Sequence, residues 1–215
     1  MDLPRPGISP DDLRFARNWR LRNAALYDFL KRHNATIEQI ARGFFPGRTM
    51  ATRKKRASRW LAKQRRRGRV RVVGVVQRRD TGRPEIVYGK KCSPERLAHE
   101  VAVAELELLL DVELMREAKV GRTQADAVAI ISKRKWFMEV DNSAKMTAKQ
   151  MQAKWERYQG VTDYILVVAM TESRMQRLRK GAERVKTIAM FSTFDRLRSG
   201  VPEPLVDWYG KAAPL

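Results

Sequence analysis

Glu139 and Asp141 stand two residues apart in an extended run, 136–141. Alternate side chains of a strand share a face. Phe137, Glu139 and Asp141 therefore point one way, and Trp136, Met138 and Val140 the other. A third acid, Asp126, interrupts the apolar run 125–131 just upstream, across a basic turn at 132–135. If the two runs pair, Asp126 converges on the same point as Glu139. Like charges gathered there repel unless protons or a cation lie between them. The chemistry expected is a divalent-metal site, Mg²⁺ or Mn²⁺, with Asp126 and Glu139 as ligands. A metal so placed activates water and stabilises charge developing on an attacked phosphorus. The bland alternative for Asp126 is an acid that caps a turn. Downstream, Lys145, Lys149 and Lys154 lie on the next loop and helix. Gln150, Lys154 and Tyr158 fall at i, i+4 and i+8, one stripe that faces either the acids or solvent.

The order of these elements resembles the PD-(D/E)XK nuclease fold. From the first helix to the strand at Tyr164, the chain also resembles the replication-relaxation family of mobile-element proteins. Their second strand reads close to FLEVD, and here it reads Phe137-Met138-Glu139-Val140-Asp141. The resemblance implies a winged helix ahead of a nuclease-like core, with the Val140 carbonyl as a third metal ligand. It matches Glu100 to an additional acid on the helix leading into the sheet. Glu107 lies two turns further on, and His99 falls where the family tends to have a histidine. The family lysine falls where Asp141 stands. Lys145, Lys149 or Lys154 is then expected to replace it, and Asp141 to serve a second metal. The rival reading is a degenerate nuclease fold, kept for DNA binding or for oligomerisation as a homodimer.

Composition narrows the partners. Of 215 residues 43% are hydrophobic, enough for a folded core, and the net charge is +21. Residues 1–91 hold 25 Lys+Arg against 7 Asp+Glu, while 92–215 hold 20 against 17. So concentrated a positive charge suits nucleic acid or an anionic membrane. No apolar run reaches the roughly 18 residues needed to cross a bilayer, and no secretory signal opens the chain. A cytoplasmic protein bound to double-stranded DNA is expected. The single cysteine, Cys92, excludes an internal disulfide and a zinc knuckle. No Gly-rich phosphate loop is present, so no nucleotide is expected. Two histidines, His33 and His99, support Ser-His-Asp catalysis poorly.

The elements that must position these residues follow from periodicity. Residues 1–10, with three prolines, read as a loose terminus. Helices are expected over about 11–34, 36–44 and 49–67, with Thr36 as an N-cap and Gly68 as a stop. Two extended runs, 69–77 and 85–88, flank the turn Asp80-Thr81-Gly82. Three helices and a hairpin in this order predict a winged helix-turn-helix over 11–91. Its third helix would read DNA through Arg53, Lys54, Lys55, Arg56, Arg59 and Lys63, after Arg48. The wing would add Arg78, Arg79 and Arg83. That helix contains no acid, whereas a merely solvated face mixes signs to gain i,i+4 pairs. Membrane insertion would need bulky apolar residues free opposite the charges, and Trp60 and Leu61 are needed for the core.

A second domain is expected over 92–200, an α/β PD-(D/E)XK-like body with the order α-β-β-β-α-β. Its helix would begin at Ser93-Pro94 and lay Leu97, Val101, Ala104 and Leu108 on the sheet. Strands follow at 112–119, 125–131, 136–141 and 164–170, with a helix over 145–158 before the last. Further elements are expected at 175–182, 187–191 and 193–198. The tail, 201–215, has three prolines and is pinned, if at all, by Trp208 and Tyr209.

Overall fold

A computed structural model describes residues 19–77, 82–120, 123–142, 148–158, 164–182, 189–199, 204–207, 209 and 211–213. Within these, the side chains of 20, 118, 120, 123, 148, 149, 151, 152, 212 and 213 are excepted. The chain forms two units of mixed helix and sheet, Met1–Asp111 and Val112–Leu215. Among the described residues no helix is long and apolar enough to cross a membrane.

In the first unit, α1 (Trp19–Arg32) leads to a two-residue strand β1 (Ala35–Thr36), then α2 (Ile37–Phe44) and α3 (Met50–Arg66). Thr36 opens α2 through a capping box: its hydroxyl accepts from Gln39 N, and Gln39 Oε1 accepts from Thr36 N at 2.9 Å. Reciprocal bonds of this kind satisfy backbone donors that a helix start leaves over. Thr49 caps α3 in the same position, and Gly68 ends it at φ +68°. Ala57, Trp60, Leu61 and Gln64 bury one side of α3. They meet Leu26, Phe29, Ile40 and Phe44, and Trp60 Nε1 donates to Asn23 Oδ1 at 2.8 Å. Strands β2 (Val72–Gln77) and β3 (Pro84–Tyr88) form an antiparallel hairpin, and β1 adds to its β3 side. Periodicity could not show β1, because two residues carry no pattern.

Helix α4 (Pro94–Leu110) falls in the first unit, whereas the sequence reading opened the second domain with it. The physical reason is its packing. Ala104 belongs to the core of the first unit. A Cβ built on Gly74 would stand 2.5 Å from Leu97, and one on Gly43 would stand 2.7 Å from Leu108. The helix thus rests two leucine methyls close against the Cα side of two glycines. Polar bonds agree: Gln39 Nε2 donates to Val101 O at 2.9 Å and to Glu105 at 3.0 Å, and Arg42 pairs with Glu105.

The second unit is a seven-stranded sheet in the order β10-β9-β8-β7-β6-β5-β4. Strands β4 (Met115–Val120), β5 (Thr123–Ile131) and β6 (Arg134–Asp141) form an antiparallel meander. Helix α5 (Ala148–Glu156) crosses to β7 (Tyr164–Ala169), and α6 (Glu172–Ala182) crosses to β8 (Ala189–Thr193), both parallel steps. A short α7 (Phe194–Ser199) precedes β9 (Leu205–Asp207) and β10 (Ala212–Ala213). Phe137, Ile165, Val167 and Phe191 pack with Trp155 and Tyr158 beside α5 and with Met175 and Leu178 of α6. The tail supplies two strands that the sequence did not suggest, with Leu205 and Val206 buried. Tyr209 is 76% exposed, and Trp208 lies outside the described residues.

Candidate functional site

Strand pairing brings the acids together. The β5–β6 register runs to Ala127 opposite Met138, the residues next to Asp126 and Glu139. Alternation then puts Phe137, Glu139 and Asp141 on the face covered by α5 and α6, as Phe137 packing against Trp155 requires. Glu139 is 3% exposed, and both its oxygens are engaged. Lys154 Nζ donates to Oε2 at 2.6 Å, and the Tyr158 hydroxyl donates to Oε1. Asp126 is half-buried, and its Oδ2 accepts from Val140 N at 2.8 Å. Asp141 is buried, and its Oδ2 accepts from Arg174 Nε of α6 at 2.7 Å.

Burial raises the Glu139 carboxyl above its ordinary range; Lys154 and Tyr158 reverse this only in part, and Asp126 adds to it. Burial alone would lower the Lys154 ammonium, but Glu139, with Asp126 and Asp141 beyond it, holds it above its ordinary range. Desolvation and the Glu139 charge together push the Tyr158 phenol far up. The Tyr158 phenol therefore keeps its proton beside the pair at neutral pH.

The expected divalent ion does not fit this arrangement. Mg²⁺ takes oxygen ligands at about 2.0–2.1 Å, and both Glu139 oxygens are held by an ammonium and a hydroxyl. Among the described residues no three His, Cys, Asp or Glu side chains are grouped to hold a metal ion. Of Val140 the structure shows its N–H bonded to Asp126. Glu100 is in the first unit, buried, with Lys90 at 3.9 Å and Arg96 at 3.7 Å. Glu107 is there too, accepting from His33 Nε2 at 2.9 Å and Arg32 at 3.0 Å. Lys145 lies outside the described residues, as does the side chain of Lys149. Lys154 and Tyr158 of the helical stripe face the acids, while Gln150 is exposed. Arg174 was not foreseen; nothing local marks it, and its role follows only from the β7–α6 turn.

The basic helix sorts its charges by direction. With one residue every 100°, Lys55, Arg59 and Arg66 point opposite the buried Ala57, Trp60, Leu61 and Gln64, and Lys63 flanks them. All four are exposed. Arg53 and Lys54 precede Ala57 by four and three residues and lie over the buried side instead. Arg53 Nε donates to Gly47 O at 2.8 Å, and Lys54 pairs with Glu38 at 2.5 Å. Arg56 is exposed but donates to Pro46 O at 2.6 Å. These three, expected at the DNA, brace the turn and helix that precede them. Arg66, one of the basic residues that the sequence places around the seam of this helix with Arg65 and Arg67, shares the outward face with Lys55 and Arg59. Arg48 and Arg83 are exposed, and Arg78 and Arg79 lie outside the described residues. No protein-family model, curated protein or solved structure matches this chain.

Proposed function

We propose that this protein binds double-stranded DNA through the first unit, with α3 as the helix laid in the major groove. The observation that carries this is the outward face of α3, where Lys55, Arg59, Lys63 and Arg66 stand together and no acid occurs. A helix admitted to the major groove presents one face to bases and phosphates. Three helices ahead of a hairpin, β2–β3, support a winged helix, with Arg83 on its wing. The strand order of the second unit is compatible with a PD-(D/E)XK-like body and with the replication-relaxation resemblance. In that reading the protein serves a plasmid, phage or integrative element in the cytoplasm, and the second unit is a non-catalytic body that regulates or pairs copies of the chain.

Fluorescence anisotropy with a labelled duplex tests it. Lys55→Ala, Arg59→Ala and Arg66→Ala should each weaken binding by ~1–3 kcal/mol where a base contact is lost. A lost phosphate contact instead weakens all sequences alike and lowers the salt slope by about 1. Wild-type affinity in all three variants would remove α3 from the interface.

One observation favours a second reading, metal-dependent nicking of DNA by the Asp126–Glu139 cluster with Mg²⁺ or Mn²⁺. Lys154 reaches Glu139 and supplies the basic group that Asp141 displaces from the family position. Such chemistry requires Lys154 to leave Glu139 before an ion could enter. Nicking of supercoiled plasmid that Glu139→Gln abolishes would establish it.

A further inference from the structure

The turn between β5 and β6 is built against its own folding preference. Between Asp126 and Glu139 the hairpin carries three cations, Lys133, Arg134 and Lys135, and no acid. Ser132 and Lys133 take φ of +49° and +64°, where a two-residue turn favours Asn-Gly. A lysine kept at a position that suits glycine marks a side chain held for something other than the turn. All four residues from 132 to 135 are exposed. Among the described residues no carboxylate pairs with Lys133, Arg134 or Lys135. We propose that this turn is a second contact with duplex DNA, in which the three cations hold the phosphate backbone independently of sequence.

Arg134 is a fixed charge. Its guanidinium lies 5.1 Å from the centre of the Tyr164 ring and donates to the Tyr164 hydroxyl. Tyr164 stacks in turn on the buried Trp136, with ring centres 4.7 Å apart and planes 22° apart. A guanidinium held in this way gives up less freedom on binding, and its planar fork matches a phosphate. Lys135 Nζ lies 4.7 Å from the centre of the Phe137 ring. Arg134 and Lys135 are neighbours on a strand and so leave opposite faces of the sheet, with Lys133 at the tip between them. Cations spread over both sides of a narrow tip suit successive phosphates along a strand better than one small anion. A membrane surface is the weaker partner. Among the described residues of the hairpin Ile130 is the exposed large apolar side chain, and one is too few to anchor it in lipid. The proposal rests on the reading that this protein binds duplex DNA, but it uses no residue of α3.

The test is fluorescence anisotropy of a labelled duplex with the full chain across a salt series. Lys133→Ala/Arg134→Ala/Lys135→Ala should weaken binding to every duplex alike and reduce the slope of log K against log salt by about 0.9 for each phosphate released. Lys133→Arg/Lys135→Arg, which keeps the charges, should retain the wild-type slope. The same loss should appear when the triple change is added to Lys55→Ala/Arg59→Ala/Arg66→Ala, so the turn is judged apart from α3. Ser132→Asn/Lys133→Gly guards against a folding artefact: it suits the turn, yet should lose about 0.9 of slope. An unchanged slope in the triple variant, or in the Asn-Gly variant if the triple variant melts lower, overturns the proposal. So does a triple variant that keeps its duplex slope and loses binding to vesicles of anionic lipid. A wild-type chain with no duplex affinity overturns this proposal and the DNA-binding reading together, whereas a loss confined to the α3 variants overturns this one alone.

Discussion

Glu139 is the residue whose environment decides what the second unit can do. Its carboxylate is held between an ammonium and a phenol, and removing one partner of a buried pair strands the other charge. Glu139→Gln keeps the shape and an acceptor for Tyr158 but leaves Lys154 unpaired. We expect a loss of about 2–3 kcal/mol, the low end for a buried pair because Lys154 can carry its charge to water. Urea denaturation should show the same loss in chelator and in Mg²⁺; a gain in chelator would instead mean that Glu139 repels Asp126 unscreened. Alkali tests the same cluster. Tyr158 and Lys154 both have raised folded values, from ordinary values of 10.0 and 10.5. Each holds its proton more tightly when folded, so its contribution is full below the unfolded value and fades as pH rises above it. Wild-type melting temperature should therefore fall faster above pH ~10 than that of Tyr158→Phe, which lacks one of the two protons. Parallel curves would separate Tyr158 from the cluster. Much of this site was legible beforehand, because alternation on a strand and i+4 spacing on a helix are local rules. That put Glu139 with Asp141 and Lys154 with Tyr158 on the page. What the rules do not contain is which cation wins, since that depends on how closely α5 lies over β6.

Elements carry signals of their own. The β5–β6 hairpin closes at the pair Ile131–Arg134, leaving Ser132 and Lys133 as a two-residue turn with φ of +49° and +64°. Both central positions of a type I′ turn need positive φ, which favours Asn-Gly. Non-glycine residues there cost roughly 1–2 kcal/mol. Ser132→Asn with Lys133→Gly should raise unfolding stability by ~1 kcal/mol after the entropy cost of glycine, read from the urea midpoint. A decrease would mean that the Ser132 or Lys133 side chain has a role beyond the turn. In α3 the same periodicity that identified the seam also fixes which cations face outward. Arg53 and Lys54, by their distance from Ala57, lie over the buried side and bond to Gly47 O and Glu38. Charge density locates an interface, but only helical phase selects the residues in it.

At the scale of the molecule, the change of composition near Cys92 and the structural division at Asp111 do not coincide. Charge drops at the first because α4 brings four acids, Glu95, Glu100, Glu105 and Glu107, with a single arginine, Arg96. Yet these acids answer the first unit: Glu105 holds Arg42 and Gln39, and Glu107 holds Arg32 and the fully buried His33. A composition boundary marks where the sign of the charge changes, and opposite signs attract; here the acidic helix is neutralised by the basic unit it follows. Residues 1–91 alone would lose Ala104 from the core, leave Gly43 and Gly74 uncovered, and strand His33 without its carboxylate. Losing a helix that fills the core costs several kcal/mol, comparable to the stability of a small unit. We therefore expect fragment 1–111 to unfold cooperatively in urea and to bind duplex DNA, with about −0.9 added to the slope of log K against log salt for each neutralised phosphate. Fragment 1–91 should show no cooperative transition, and what DNA binding it retains should be indifferent to Arg59→Ala, because a disordered polycation uses charge without a defined face. A cooperative 1–91 whose DNA affinity falls on Arg59→Ala would return α4 to the second unit and restore the boundary to where the charge changes.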